Sequence, residues 1–447
     1  MSFHTILYCS ARRDTAAGSS REEHTDAPTG AAVKYVDCFY AYGVFSIYGG
    51  RKYAEDFMYT ERIGGLKSSA IREILKITSR PGVISFAGGL PAPELFPLED
   101  IASAAQEVFA KYSASVLQYS VTEGLRTLRE KISLMLEPDA SLIGPSHVII
   151  TQGSQQGLDL LSKLFLEKGR SVFTENPSYL GALQAFQLFQ ADILPIASDR
   201  DGIQPESLRR ALKVRRPALV YIMPNFQNPT GVSLSMERRL QLVDIVKEHD
   251  LLLVEDDPYG DLIFSGEKMP SLFTLGGTRN FIYMSSFSKT IAPGMRVAYL
   301  AGSEEIIGKL AVVKQGTDLQ TNTLGQYLVN EYLESGRYYG HRNLLRETYK
   351  QRRDCMLSSM ESYFPGSLSW NCPEGGMFLW VRLPEHCDAR EILLKCLERN
   401  VAFVPGQEFF PDGSGKNTIR LNFSNALPDK IEEGIKRIGE VLKESNI

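Results

Sequence analysis

The stretch Phe281-Ile282-Tyr283-Met284-Ser285-Ser286-Phe287-Ser288-Lys289-Thr290, continuing through Gly294 to Arg296, is the most informative part of the chain. An apolar, strand-like run leads into a turn where one lysine sits among hydroxyls, with an arginine downstream. Similar short apolar runs lie at 147–151, 170–174, 218–223, 251–255, 281–285 and 297–301, with amphipathic stretches such as 155–167 and 237–249 between them. That alternation predicts an α/β fold, a large domain with a mostly parallel sheet sandwiched by helices. After residue 330 or so the character changes. A long polar helix over 338–361, then mixed strand and helix units, predicts a second, smaller α+β domain. There is no internal repeat.

The chain has 447 residues, ample for such a pair of domains, with 43% hydrophobic and 23% charged residues. A net charge of −4 argues against general nucleic-acid binding, which needs clustered excess cations. Arg209-Arg210 and Arg215-Arg216 read as solvated helix faces. The six cysteines (Cys9, Cys38, Cys355, Cys372, Cys387 and Cys396) form no C-x-x-C pair, and the six histidines are scattered, so no metal site is expected. The thiols read as reduced, in a cytoplasmic protein. No apolar run approaches the length of a membrane span. Residues 1–57 differ from the rest: 11–33 are polar and charged, and 34–54 are aromatic and Gly-rich without clear periodicity. They are expected to be a poorly ordered or accessory extension, without a signal-peptide layout or a basic helix-turn-helix.

Lysine chemistry on an aldehyde needs a lowered amine pKa and a fixed position. Ser286, Ser288 and Arg296 are suited to holding a phosphate beside Lys289. Together they describe a pyridoxal-phosphate site, with Lys289 as the Schiff-base lysine, although a lone S-x-S-K string is more often a surface turn. Further motifs support the first reading. Thr151-Gln152-Gly153-Ser154-Gln155-Gln156 is a strand-to-helix junction that suits an anion, or else a plain helix cap. Asn176-Pro177-Ser178-Tyr179 offers an aromatic to stack on a pyridine ring, though a rim tyrosine is the commoner reading. Asn225-Phe226-Gln227-Asn228-Pro229-Thr230-Gly231 is a tight turn presenting the Asn228 amide, and such turns are also common in structural loops. Glu255-Asp256-Asp257-Pro258-Tyr259 brings a carboxylate for the ring nitrogen and a tyrosine for its phenolate oxygen, with a magnesium site as the weak alternative. Arg420, in Arg420-Leu421-Asn422-Phe423-Ser424, suits bidentate capture of an α-carboxylate, or a structural salt bridge.

In order and spacing these motifs resemble the class I aminotransferases of pyridoxal-phosphate fold type I, nearest the 2-aminoadipate and kynurenine II group. Ser68-Ser69-Ala70-Ile71-Arg72, Gly88-Gly89-Leu90-Pro91, Leu117-Gln118-Tyr119 and the G-G-M-F-L-W string at 375–380 join them in that resemblance, which covers 58–447. It implies an N-terminal arm and part of the small domain over 58–104, a large cofactor-binding domain over 105–330 and a C-terminal small domain over 331–447. It implies catalytic roles for Lys289, Asp256 and Tyr259. Ser154, Gln155, Ser286 and Arg296 would bind the phosphate, with Ser288 nearby. Tyr179 would stack on the ring, Tyr259 and Asn228 would contact its O3′, and Tyr119 would reach across a homodimer. Arg420, Asn228 and Gly89 would meet the substrate. Arg72 would meet a distal carboxylate or move aside for an aromatic side chain.

The expected activity is transfer of an amino group from an L-amino acid (2-aminoadipate, glutamate, aromatic or branched-chain) to a 2-oxo acid such as 2-oxoglutarate. The alternatives are a C–S β-lyase on the same fold or a MocR-type regulator, which fuses a winged-helix domain to this fold.

Overall fold

The computed structural model describes residues 59–64, 82–136 and 143–447, which all fall in one compact unit, Tyr53–Ile447. The expected extension 1–57, Cys9, Cys38 and the 68–72 segment with Arg72 lie outside the described residues. Eight strands form the main sheet: β1 (Val148–Thr151), β2 (Ser171–Asn176), β3 (Asp192–Asp199), β4 (Gly202–Ile203), β5 (Leu219–Ile222), β6 (Leu253–Asp256), β7 (Phe281–Ser286) and β8 (Ala298–Ala301). Their spatial order is β1-β8-β7-β6-β5-β2-β3-β4. The run from β7 to β3 is parallel, while β8 is antiparallel to both its neighbours and β4 to β3.

The parallel strands are apolar on both faces because helices cover both. Leu219 and Tyr221 of β5 enter one apolar cluster with Val254, Ile282 and Met284. Val220 and Ile222 enter the other, with Leu253, Phe281 and Tyr283. The period-two alternation of a strand thus divides each short run between two cores. Helices Ser154–Phe165 and Met236–Glu248 match the amphipathic stretches read from the sequence.

Six of the eight strands coincide with the runs read from the sequence. The pair β3–β4 was not expected. Its longer member carries Pro195 and acids at both ends, and it is only partly buried, so it lacks a central strand's apolar signature.

The smaller sheet contains β9 (Ser369–Trp370), β10 (Phe378–Arg382), β11 (Val404–Pro405) and β12 (Thr418–Asn422), all antiparallel, in the order β9-β10-β12-β11. The helix expected over 338–361 spans Arg337–Tyr363 and packs against Pro428–Glu444. The latter buries Ile431, Ile435, Ile438 and Leu442, one stripe at helical spacing. No helix among the described residues is long and apolar enough to cross a membrane.

Candidate active site

The parallel strands deliver their loops to one edge of the main sheet, where open α/β sheets place ligand sites. Ser154 follows the end of β1, Tyr179 that of β2, Asn228 that of β5 and Lys289 that of β7, while Asp256 is the last residue of β6. Because β8 runs the other way, its start lies beside the end of β7, with Ala298 opposite both Ser286 and Thr151. The reversal therefore brings Arg296, just ahead of β8, to the same edge.

Lys289 Nζ donates to the Gly89 carbonyl at 2.7 Å. Burial lowers its amine to about 8, with the charges of Arg420 and Arg296 acting in the same direction. Asp256 is 1% exposed. Its Oδ2 accepts a 2.6 Å hydrogen bond from the Tyr221 hydroxyl, while its buried Oδ1 has no protein partner among the described residues. Burial raises this carboxyl to about 7, the Tyr221 bond pulls it down, and the charge of Asp257 pushes it up.

Register settles which of the three consecutive acids belongs here. Tyr221 lies opposite Val254, so Asp256, two residues on, shares their face. Glu255 turns to the other face, where it accepts from the Phe273 amide at 2.9 Å. Asp257 also leaves the site: it accepts from the Gly260 amide at 2.8 Å and the Tyr283 hydroxyl at 2.9 Å, with Lys268 Nζ 3.6 Å away.

Gly153, in the left-handed region at φ +85°, precedes the helix that begins at Ser154. A Cβ there would stand 2.1 Å from Arg296 Nη2, so only glycine admits the guanidinium, which donates to the Gln152 carbonyl at 2.9 Å. Ser154 Oγ is buried without a protein partner among the described residues. Ser286 Oγ donates to Ser288 Oγ at 2.8 Å and accepts from the Ser288 amide at 3.0 Å. Gln155 is exposed and donates to the Gly181 carbonyl at 3.0 Å.

From the smaller sheet, β12 contributes Arg420, 3% exposed. It donates to Asn228 Oδ1 at 2.7 Å and the Ala87 carbonyl at 2.6 Å, and its Nε is buried without a partner among the described residues. The rings of Phe378 and Phe409 lie 4.4 and 4.9 Å from the guanidinium carbon. Burial lowers this arginine to about 10. A buried guanidinium that keeps a donor unpaired is costly unless a further acceptor, best an anion, joins it. Tyr259 is buried and meets Phe378 edge-on at 5.7 Å. Burial raises the Tyr179 and Tyr259 hydroxyls, and Arg420 acts electrostatically on both.

The fold thus collects Lys289, Gly89, Arg296, Ser154, Gln155, Tyr179, Asn228, Asp256, Tyr259, Ser286, Ser288 and Arg420 at one edge. Tyr119 differs: it is 78% exposed, close in sequence to the equally exposed Leu117. Tyr221 and Phe409 were given no role from the sequence. The run Leu219-Val220-Tyr221-Ile222 reads as plain core, and only its register with β6 reveals the contact to Asp256.

The residues fit pyridoxal phosphate. Ser154 Oγ, Asp256 Oδ1 and Arg420 Nε all hold unused hydrogen-bonding capacity, suited respectively to a phosphate, a pyridinium and a carboxylate.

The family model for aminotransferase class I and II matches residues 82–438. The chain belongs to this family. Among the curated relatives of this aminotransferase is a 2-aminoadipate transaminase from Thermus thermophilus, 42% identical over 383 residues, covering 85% of this chain and 95% of that one. An aromatic-amino-acid aminotransferase from Thermococcus litoralis is 40% identical over 392 residues, 86% of this chain and 94% of that one. A solved structure of an α-aminoadipate aminotransferase from Thermus thermophilus, complexed with N-(5'-phosphopyridoxyl)-L-leucine, superposes with a TM-score of 0.81 at 40% identity. It covers 86% of this chain and 97% of that one.

Proposed function

We propose that this aminotransferase uses pyridoxal phosphate to move the amino group of an acidic L-amino acid, 2-aminoadipate or glutamate, to a 2-oxo acid such as 2-oxoglutarate. The observation that carries the reading is Lys289: among the described residues its Nζ hydrogen-bonds only a carbonyl, and burial and two arginines hold its amine near 8. Such an amine is free to act as nucleophile and base near neutral pH.

When bound, the cofactor supplies the electron sink that lets the substrate Cα lose its proton. Lys289 Nζ would anchor the cofactor, and its amine would take the substrate Cα proton and pass it on. Asp256 would face the ring nitrogen with Oδ1, and Tyr259 and Asn228 would serve the ring oxygen. Tyr179 would stack on the ring. Ser154, Gln155, Ser286 and Arg296 would hold the phosphate, supported by Ser288. Arg420 takes the substrate α-carboxylate, with Asn228 and Gly89 beside it, and Arg72 selects a distal carboxylate. Tyr119, exposed in one protomer, completes the site of a partner subunit in a homodimer. The cofactor-binding domain spans 105–330.

The test is the absorbance spectrum of the reconstituted protein before and after 2-aminoadipate, without any oxo acid. Conversion of the 2-aminoadipate-treated protein to the spectrum of the pyridoxamine form supports the reading. Spectral inertness toward acidic donors, with response to aromatic ones, would reassign the substrate. Lys289→Ala should lose the lysine-linked band and at least about 10²–10⁴-fold in turnover, the usual worth of a positioned acid–base group.

A further inference from the structure

Asp256 is served by a residue that was given no role from the sequence. Tyr221 is fully buried on the strand next to β6, and its hydroxyl lies 2.6 Å from Asp256 Oδ2. The ring is set by packing, with Phe186 edge-on at 5.6 Å. The bond occupies one carboxylate oxygen and leaves the other, Oδ1, buried and without a protein partner among the described residues. We propose that Tyr221 is a positioning residue, which holds Asp256 as a carboxylate and turns it so that Oδ1 alone is offered to the cofactor's ring nitrogen. This inference rests on the pyridoxal-phosphate reading above.

The surrounding charges make the donor necessary. Burial disfavours the charged Asp256, and the neighbouring carboxylate of Asp257 disfavours it further. Glu175, on the far side of β5 and itself raised to about 8 by burial, brings another acid toward it. Tyr179 and Tyr259 are held in their neutral form by burial. The Tyr221 hydroxyl is pushed well above its ordinary range by burial and by Asp256 itself, so it remains a donor at any working pH. Of the groups acting on the Asp256 carboxyl, Tyr221 is the one that favours its charge.

The sign of the effect follows. Without the hydroxyl, the charged carboxyl loses a stabilising bond and its proton affinity rises. The proton it shares with the ring nitrogen then moves toward the carboxyl. The ring withdraws electrons less strongly, and the lysine linkage keeps its own proton to higher pH.

The experiment compares the wild type, Tyr221→Phe, Asp256→Asn and the double variant. Each apoprotein is titrated with pyridoxal phosphate, and the visible band of each loaded protein is followed against pH. Tyr221→Phe removes one oxygen and keeps the ring packing. It should weaken cofactor binding about tenfold, the scale of one hydrogen bond to a charged group. The pH midpoint of the band should rise by about one unit, the same tenfold. In the Asp256→Asn background the Phe substitution should change neither readout further. Wild-type affinity and midpoint in Tyr221→Phe would overturn the inference. So would an equal loss in the Asn background, which is what a packing role alone produces. A wild-type protein that takes up no pyridoxal phosphate would instead overturn the cofactor reading on which this one stands.

Discussion

Asp256 and Asp257 are neighbours in sequence and almost equally buried, yet the fold treats them oppositely. Asp257 is saturated by the protein, through the Gly260 amide, the Tyr283 hydroxyl and Lys268. Among the described residues Asp256 receives one donor and keeps an oxygen free. The same contrast separates two buried arginines. Arg239 donates to the carbonyls of Leu234, Pro270 and Pro224 and to the Asn225 side chain. Arg420 makes two bonds, leaves Nε unpaired and lies between two aromatic rings. Burial alone therefore does not mark a site. Unused hydrogen-bonding capacity on a buried charge does so when several such groups converge around one lysine.

The sharpest way to break this contrast is to neutralise each acid in turn. Asp256→Asn should cost about 10²–10³-fold in kcat, the scale of losing one preorganised electrostatic group, with little change in thermal stability. Asp257→Asn should do the reverse, losing about 1–3 kcal/mol of stability as a saturated buried network is disturbed, with kcat largely kept. Steady-state kinetics and thermal unfolding of both variants decide it. Equal kinetic losses would end the distinction.

The arginine pair gives a smaller effect. Arg420→Lys keeps the charge but loses the planar fork, so KM for the amino acid should rise about 10–100-fold while the unfolding midpoint holds. Arg239→Lys should lower the unfolding midpoint and leave KM nearly unchanged, because its acceptors are backbone carbonyls and one amide. A KM shift in the second variant would place the Pro224–Leu234 loop, and Asn228 with it, under the control of Arg239.

Much of this was legible in the sequence, because each reactive residue sits in a turn with its own signature directly after an apolar run. Lys289, Asn228 and Tyr259 were picked out by that local grammar together with the order and spacing of the motifs, none of which is specific alone. The choice among Glu255, Asp256 and Asp257 is different, since all three lie at the end of one strand, and register with β5 decides which face Glu255 and Asp256 take. Tyr221 was hidden for the same reason: a tyrosine in Leu219-Val220-Tyr221-Ile222 is indistinguishable from core until the neighbouring strand is known. For Arg420 the sequence left carboxylate capture and a structural salt bridge both open; that no acid pairs with it among the described residues is a property of the tertiary structure alone. The strand Asp192–Asp199 was obscured by Pro195 and partial exposure, which weaken the apolar signal at the sheet's margin.

The depressed amine of Lys289 offers a test by pH. Its folded pKa lies near 8, below the ordinary lysine value, so the neutral, reactive form is gained as pH rises through about 8. Capture of pyridoxal phosphate by the apoprotein should therefore accelerate with a midpoint near 8. Arg420 is the second cause of the shift after burial, so Arg420→Gln should move that midpoint upward, slowing capture at neutral pH by several-fold, about half a unit to one unit in the midpoint. Protein stability should rise with pH between about 8 and the unfolded lysine's pKa, because there the unfolded chain binds the extra proton. A midpoint unchanged by Arg420→Gln would remove the arginine from the lysine's electrostatic surroundings.

The smallest expected effect separates backbone strain from ligand contact. Gly153 and Gly169 share a positive φ, +85° and +82°. Alanine at either should cost about 1–3 kcal/mol of stability for that conformation alone. At Gly169 the added methyl meets nothing within 4 Å, whereas at Gly153 it would strike the Arg296 guanidinium. Both variants should thus lose stability, but only Gly153→Ala should also loosen cofactor binding, by a further several-fold, as Arg296 is displaced from the helix start at Ser154. Apoprotein titrations with pyridoxal phosphate and with pyridoxal lacking the phosphate would read this. The Gly153→Ala penalty should be confined to the phosphorylated form, and an equal penalty for both would move Arg296 out of the phosphate site.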